Sequence, residues 1–446
     1  MRVTDMTHGR PIRLIPLPLM LGSVFQQLYT IVDTIIIGRG VGMQALASIG
    51  AADWINWLVL WGLQGFTQGF AILAAQEFGA GAYDRLRRVL AMIVKLSCWF
   101  GIAVTIISLL LVRPLLSLLH TDPAVFGGAQ TYLYVQFGGS LIIIAYNMAA
   151  AVLRCLGDSR TPLLAIIAAS FANIALDLLF VMGFGWGIFG ASFATVLAQL
   201  IAFLLCLRSL RRLPFVQLAK VDWKTDPAIL LHLCRLGIPT GLQMSMITLG
   251  GMVLQSVLNG FGVVFVAGYT AANKLYGILE SASVAFGYAM TAYMGQNRGA
   301  RNAARIDTGI RAVLALSAGF TAAIVTAMLL AGKPLLGLFL STEEAGAADA
   351  LAVAYQYLMV LMAFLFALFV LQAYRSSLQG LGEMTVPTLS GFVEMLMRMG
   401  AALVLPTFIG QSGVFFAEGA AWVCAAALNL VWYYIRIGKI KRDMLK

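Results

Sequence analysis

Four polar side chains lie inside stretches of the sequence that are otherwise almost entirely apolar. Asn173 and Asp177 stand four residues apart, Thr195 follows in the next apolar stretch, and Asp33 lies in the first one. Carboxylates, a carboxamide oxygen and a hydroxyl are hard oxygen ligands, which suit H⁺ or Na⁺ and not a soft metal ion. Because burial and mutual repulsion disfavour two bare carboxylates, a proton or a captured Na⁺ ion would relieve such a site. These residue types therefore predict a cation site.

The composition places these residues in a lipid bilayer. Of the 446 residues, 61% are hydrophobic and 11% are charged, against about 45–50% and about 25% in soluble domains. The net charge of +11 could indicate nucleic-acid binding, but the basic residues are dispersed between apolar runs and form no single basic face. We therefore expect a membrane protein that binds no nucleic acid.

Apolar runs of about 20 residues, enough to cross a hydrocarbon core of roughly 30 Å, predict an all-α polytopic membrane protein with twelve transmembrane helices. Most Lys and Arg residues fall on one side, so we expect a multi-pass protein of the plasma membrane with both termini cytoplasmic. The first run lacks a small-residue cleavage pattern and is expected to be a retained helix, not a signal peptide. The predicted spans, numbered 1 to 12, are 14–37, 45–73, 89–112, 128–153, 162–183, 189–207, 234–257, 265–292, 309–331, 351–374, 386–408 and 414–436.

The second half of the chain repeats the first at a distance of about 220 residues. "LGDSRTP" (156–162) corresponds to "LGEMTVP" (381–387), and "GIFGA" (187–191) to "GVFFA" (413–417). Because each repeat holds an even number of spans, the repeats should be related by a pseudo-two-fold axis along the membrane normal. The sequence thus predicts two six-helix bundles, an N-lobe (1–212) and a C-lobe (233–446), joined by a cytoplasmic linker (213–232).

Depth in the membrane brings the polar residues of the N-lobe together. Asp33, Asp177 and Thr195 each lie about five or six residues, roughly 8–9 Å, from the predicted outer end of their span. A charged Asp at a helix centre costs about 2.5–3.5 kcal/mol, so two acids in one layer favour a functional site. Tyr132 of span 4 can reach the same layer. The alternative is a polar network that only locks the helices together.

These residues carry a resemblance to the MATE family, the multidrug and toxic compound extrusion transporters, over essentially the whole chain. It rests on "PLPLMLGSVFQQLYTIVDTIIIGRGVG" (16–42), on "LRCLGDSRTP" (153–162), and on the Asn-x-x-x-Asp and Thr pattern. The resemblance implies two lobes and, for the prokaryotic branch with an N-lobe cation site, a set of cation-coupling residues. They are Asp33, Asn173, Asp177, Thr195, Tyr132 and Asn147.

Pro18 matches the proline at which the family's first helix is described as bending. A proline frees a carbonyl and can act as a hinge. The alternative is that Pro16 and Pro18 only mark a kink at the start of span 1.

We expect a substrate cavity between the two lobes. Aromatic and amide side chains of span 2 fall within about 100° of arc, and span 8 carries a similar stripe. Such a lining would suit flat amphipathic cations through cation–π and apolar contacts. The alternative is that the Trp stripe faces lipid or packs against helices. The residues assigned to the cavity are Gln26, Tyr29, Asp53, Trp57, Trp61, Gln64, Tyr269, Asn273, Tyr276 and Glu280.

The C-lobe departs from another branch of the family, which places an acid on helix 10, because span 10 of this chain has none. Glu394 and Arg398, four apart on span 11, can neutralise each other on one helix face, and we interpret them as structural or gating residues. Glu280 is either a second proton site or a ligand for a cationic substrate, and Lys274 is an alternative partner for it.

The resemblance and the cation site together indicate a secondary active antiporter. It would export amphipathic, preferentially cationic, drugs or toxic compounds in exchange for H⁺ or Na⁺ by alternating access. We expect a monomer with small-molecule substrates and no cofactor beyond the coupling ion. The alternative is a lipid-linked saccharide flippase of similar architecture, which would need a strongly cationic cavity. HExxH and GxSxG motifs are absent, so we expect no enzymatic activity.

Overall fold

The computed structural model describes residues 22, 25, 32–38, 40–339 and 346–445, and every regular element in these ranges is helical. Pro18, Gln26 and Tyr29 lie outside the described residues. The all-α fold is therefore confirmed. The helices are α1 (32–38), α2 (Met43–Gly79), α3 (Tyr83–Leu118), α4 (Pro123–Gly138), α5 (Ser140–Cys155), α6 (Arg160–Asp177), α7 (Gly187–Arg211), α8 (Pro227–Leu258), α9 (Val263–Gly299), α10 (Ala303–Gly337), α11 (Ala347–Gly380), α12 (Thr385–Ile409) and α13 (Phe416–Leu445), with short π or 3₁₀ segments between some of them.

Long apolar helices dominate the described part of the chain. Nine of them are long and apolar enough to cross a membrane, and α4 with α5, bent by 49°, can form one more span. The bend lies at Gly139, where a Cβ atom would come within 2.5 Å of Val196 on α7. The helix α9 covers span 8 and is not one of these nine; Lys274 and Glu280 lie in it. The chain is thus a multi-pass membrane protein.

Contacts divide the chain into two compact units. Among the described residues, unit 1 extends to Ser245 and unit 2 begins at Met246. The division falls inside α8, whose first half packs closely on α2 within unit 1. A Cβ atom on Gly69 would come within 2.6 Å of Gly237, so the absence of side chains lets these helices approach. The predicted lobe and linker boundaries stay a prediction.

Glycines at corresponding positions of the two repeats turn the backbone in the same way. α2 and α9 are both 37 residues long, and each follows a glycine with positive φ, 111° at Gly42 and 89° at Gly262. Gly157 and Gly382, in the two "LG" motifs, have φ of 93° and 73°. Because L side chains rarely adopt these values, the repeat extends from the sequence to the local backbone.

Candidate cation site and the polar core of unit 2

An apolar contact positions Asp33 in unit 1. Ile36 and Ile37 follow Asp33 by three and four residues and therefore share its helix face. Both isoleucines are buried in one cluster with Val181, which follows α6, and with Ala191 of α7. Burial of this face directs Asp33 towards the end of α6.

Asp177 lies where α6 changes its winding. It is the last α-helical residue, and the chain continues as a π-helical turn over Leu178–Gly183. Such turns are rare and occur frequently at functional sites. Asn173, one turn earlier, lies on the same face. Asn173 and Asp177 are 1% and 0% exposed, which is unusual for such polar side chains and indicates a site built around them.

The carboxyl groups of Asp33 and Asp177 lie within hydrogen-bonding reach of each other. In the described ranges, no group donates a hydrogen bond to either oxygen of Asp177 or to Oδ1 of Asp33. Two carboxylates have no hydrogen to share and repel each other at this distance. A proton between them, or a cation beside them, would remove the repulsion. The structure thus brings together the two acids that the sequence places at one depth.

A small cavity lies between α6 and α7 beside Asn173. Its space matches a water molecule or one small cation. Both polar side-chain atoms of Asn173 and Oε1 of Gln199 are buried without a partner among the described residues. Thr195 donates to the Ala191 carbonyl at 3.1 Å, which leaves its oxygen able to accept or to coordinate. The cavity is lined by Ile166, Ala169, Ser170, Asn173, Thr195, Ala198 and Gln199.

Gln199 was missed by the sequence analysis. It stands one helical turn after Thr195 and shares its face, so the spacing of four residues was the available signal. In the structure it adds a second carboxamide to the cavity.

Tyr132 and Asn147 lie outside the lining of this cavity. The Tyr132 hydroxyl accepts a hydrogen bond from Asn56 at 3.2 Å, and its ring packs against an apolar core of α2, α3 and α4. Asn147 donates to the Ile143 carbonyl of its own helix at 2.9 Å. Their cation-coupling role, which the family resemblance implies, stays a prediction.

The span 2 residues assigned to the substrate cavity form a partly exposed stripe in unit 1. Trp57 and Trp61 are 41% and 44% exposed, and Trp57 packs edge-to-face on Trp54 with ring centroids 5.3 Å apart. Asp53 and Gln64 are half-buried on the same helix. Exposed tryptophans fit a cavity wall and also a lipid-facing surface, so the cavity assignment stays a prediction.

Unit 2 pairs the charges in its core. Arg375 of α11 donates to Glu394 of α12, and Arg398 of α12 donates to Glu418 of α13 at 2.6 Å. The predicted pairing of Glu394 with Arg398 is therefore wrong. Each side chain finds its partner on a neighbouring helix, because packing decides which faces of α11, α12 and α13 meet and a buried charge binds the opposite charge that packing places beside it. Arg375, which directly follows predicted span 10 (351–374), is 3% exposed inside α11.

Glu418 was also missed. Its signal was an acid inside predicted span 12, and intramembrane acids usually have a partner.

The tyrosines of α9 are buried in unit 2. Tyr269 is 4% exposed and accepts a hydrogen bond from the Tyr357 hydroxyl at 3.0 Å. Tyr276 is 6% exposed, and its ring stacks on Trp422 with centroids 5.5 Å apart. These contacts make both rings part of the packed interior of unit 2, so cavity lining would require them to become accessible.

Glu280 is hydrogen-bonded to Tyr276, and it interacts electrostatically with Glu418 and Arg398. Lys274 and Asn273 are exposed on the same helix. The neighbours of Glu280 in the structure are thus a tyrosine and the Arg398–Glu418 pair, and Lys274 is not its partner.

The described cysteines, Cys98, Cys155, Cys206, Cys234 and Cys424, form no disulfide bond. Within the described ranges, no group of three or more His, Cys, Asp or Glu side chains could hold a metal ion.

Comparison with known proteins identifies the family. The MatE family model matches residues 18–179 and 239–404, which together make up most of the chain. The chain belongs to the MATE family. It is similar to the probable multidrug resistance protein YpnP of Bacillus subtilis (strain 168), with 32% identity over 454 residues, 99% of this chain and 98% of that protein.

A second relative in the same organism, the probable multidrug resistance protein YoeA, is 26% identical over 97% of this chain and 95% of its own length. A solved structure of a multidrug resistance MATE family transporter of the MOP superfamily, in an outward-facing conformation, matches with a TM-score of 0.91. It is 24% identical and the match covers 99% of both chains, which shows the same fold.

Membership in the MATE family makes the chain a transporter and not an enzyme. The likeness to multidrug resistance proteins favours multidrug efflux of small molecules over a lipid-linked saccharide flippase.

Proposed function

We propose that this MATE transporter is a secondary active antiporter that exports amphipathic, preferentially cationic, compounds in exchange for a small monovalent cation, H⁺ or Na⁺. The observation that supports this most is the meeting of the Asp33 and Asp177 carboxyl groups in the interior of unit 1. No hydrogen-bond donor among the described residues serves either oxygen of Asp177. A pair of facing acids with no cationic side chain beside it among the described residues is suited to bind and release a cation.

The cation would control the distance between α1 and α6. When it is bound, the repulsion between Asp33 and Asp177 is removed and the two helices can stay together. When it leaves, the two carboxylates disfavour this packing, and a conformation that separates them or hydrates them gains population. Binding of the cation thereby selects one conformation of unit 1.

Alternating access follows from linkage between two ligands. If the cation stabilises one conformation and the exported compound stabilises another, inward movement of the cation drives outward movement of the compound. Each charge that moves through 100 mV supplies about 2.3 kcal/mol.

The oxygen ligands serve either ion. A proton needs only the two carboxyl groups. A Na⁺ ion would also use the carboxamide of Asn173, the hydroxyl of Thr195 and the carboxamide of Gln199, which line the adjacent cavity. We propose no cofactor beyond this ion.

Uptake of an exported compound into everted membrane vesicles, with the H⁺ and Na⁺ gradients collapsed one at a time, tests the coupling. Loss of uptake in only one of the two arms identifies the ion. Asp33→Asn and Asp177→Asn should each abolish coupled efflux at unchanged protein levels. Asp349→Asn, a charge removal at an exposed position near the start of α11, is the matched control and should transport normally. Wild-type efflux in either test variant would remove the unit 1 site from the mechanism.

The location, orientation and oligomeric state of the protein are also proposals. We propose a monomer in the plasma membrane with both termini cytoplasmic, since most basic residues fall in loops on one side of the predicted spans. Labelling of single added cysteines at the two ends, in intact cells and in everted vesicles, tests the orientation. Labelling in intact cells by an impermeant reagent would reverse it.

A further inference from the structure

The two repeats carry different chemistry at the same position. When "LGDSRTP" is aligned with "LGEMTVP", Asn173 falls on Arg398, and when "GIFGA" is aligned with "GVFFA", Ser192 falls on Glu418. Two aligned positions therefore differ between the units: they hold an amide and a hydroxyl in unit 1, and a guanidinium and a carboxylate in unit 2.

The structure places these pairs at corresponding helix junctions. Asn173 lies at the cavity between α6 and α7, which are spans 5 and 6 of the first repeat. Arg398 and Glu418 join α12 to α13, which are spans 5 and 6 of the second. Arg398 also donates to the Ile247 carbonyl of α8 at 2.9 Å. Since α8 is the first span of its repeat, as α1 is in unit 1, both polar sites lie where the first, fifth and sixth spans meet.

The guanidinium of Arg398 is a cation built into this junction. The residue is 6% exposed, and its two terminal nitrogens are bound to a carboxylate and a carbonyl. At the corresponding junction of unit 1, two acids meet without any cationic partner among the described side chains. Unit 2 thus already holds a positive charge where unit 1 would need one from solution.

We propose that Arg398 is a tethered cation, which occupies in unit 2 the place that H⁺ or Na⁺ takes in unit 1. Glu418 is therefore neutralised without an ion from solution, and unit 2 does not bind and release a coupling ion at this junction. The comparison rests on the proposed cation site of unit 1. Arg398 would then keep Glu418 from serving as a second coupling-ion site.

Replacing the tethered cation should create an ion site. In Arg398→Gln, Glu418, whose side chain is 16% exposed, loses its cationic partner, and uptake of a proton or a Na⁺ ion would neutralise its carboxylate. We expect Arg398→Gln to bind about one more ion per molecule than the wild type. The unfolding equilibrium constant should then change by about an additional factor of ten for each tenfold change in that ion's concentration.

Thermal unfolding of the purified full-length protein in detergent measures this response. One series varies pH, and a second exchanges choline chloride for NaCl at constant ionic strength. The additional response of Arg398→Gln should vanish in Arg398→Gln/Glu418→Gln, which has neither charge, and should not arise in Arg398→Lys, which keeps the charge. Among the described residues, the charged or titratable groups that face Arg398 from other helices are Tyr269, Tyr276 and Glu280 from α9, Arg375 from α11 and Glu418 from α13.

Several results would overturn the proposal. The first is an Arg398→Gln protein that folds but binds no more ions than the wild type, and the second is an equal gain in Arg398→Lys. If Arg398→Gln folds only at low pH or high Na⁺, an ion replaces the guanidinium and the proposal is supported. If neither condition restores folding, while Arg398→Gln/Glu418→Gln folds, no ion can take the place of Arg398 and the proposal fails.

A separate variant tests the site of unit 1. Asp177→Asn should lose about one ion from the wild-type response. If Asp177→Asn binds as many ions as the wild type while Arg398→Gln binds one more, the proposed cation site of unit 1 fails. The additional ion bound at unit 2 is then still established by its own measurement. An ion response of Asp177→Asn that disappears on adding Glu418→Gln would show that unit 2 binds an ion with Arg398 present, which contradicts the tethered cation.

Discussion

Both units have acidic side chains at a helix junction, but the two units surround these acids with opposite kinds of neighbour. Unit 1 brings Asp33 and Asp177 together and leaves them without a resident cation among the described residues. Unit 2 gives two of its acids arginine partners on neighbouring helices, Arg375 for Glu394 and Arg398 for Glu418. An acid bound to an arginine can keep that partner through a transport cycle, whereas two acids without a cationic partner can bind and release an ion. The same repeat can therefore form one junction that exchanges an ion and one that does not.

The largest expected effect of a single substitution is on transport through unit 1. Asp177→Asn keeps the shape of the side chain and removes the charge, so ion binding and coupled efflux should fall to the level of membranes without the transporter. Thermal unfolding should not weaken, because the repulsion with Asp33 is removed as well. Vesicle efflux and unfolding measurements on the same preparation check both parts. A variant that loses efflux only because it unfolds would contradict this account.

The corresponding substitution in unit 2 should act on stability. Glu418→Gln leaves the Arg398 guanidinium buried without its carboxylate, and breaking a buried pair from one side typically costs about 3–5 kcal/mol. We expect a marked fall in the free energy of unfolding in detergent. Arg398→Met/Glu418→Leu, which removes both charges, is the control and should recover most of the loss. Equal stability of Glu418→Gln and the wild type would mean that the pair is not needed.

A smaller effect is expected at Thr195, which lines the cavity of unit 1. Thr195→Val keeps the volume and removes the hydroxyl. If the coupling ion is Na⁺, its affinity should fall about tenfold, or about 1.4 kcal/mol, because one oxygen ligand is lost. If the coupling ion is H⁺, the two carboxyl groups suffice and the affinity should change little. Ion-dependent unfolding of the variant distinguishes these outcomes.

One further pair of substitutions should have the same effect on stability in both units. Gly42→Ala and Gly262→Ala each place a Cβ on a residue with positive φ and extended ψ that has open space around it, so the cost is backbone strain of about 1–3 kcal/mol. Matched losses in unfolding free energy would show that the repeat is equivalent in backbone and differs only in its polar side chains. A large loss in one variant alone would contradict that equivalence.

Much of the fold could be predicted because its signals are local. Hydropathy over about 20 residues reports whether a helix can cross a membrane, and the predicted spans correspond to the helices in the described ranges. The meeting of Asp33 and Asp177 was also predictable, since distance from the end of a span sets depth and the Asn173–Asp177 spacing sets a common face.

Choice of partner was not predictable from spacing. Glu394 and Arg398 stand four apart and could have paired on one helix, but each binds a side chain of another helix instead. Likewise, Tyr132 meets Asn56 of α2, and Asn147 bonds to its own helix. A spacing of four residues shows that two side chains share a helix face, but it does not show which side chains of other helices lie beside that face. The rotation of each helix about its axis decides which of them become partners.

The sequence alone therefore determined that the chain is an all-α membrane protein with an internal repeat and two acids at one depth of the first repeat. Apolar length, basic loops and side-chain periodicity are properties of each segment by itself, so they can be recognised before the segments pack. Only the tertiary structure decided that Asp33 and Asp177 of unit 1 face each other without a cationic partner among the described residues, while Glu394 and Glu418 of unit 2 are bound by arginines. That outcome depends on which helix faces meet, and a buried charge is settled by the groups that packing places within reach.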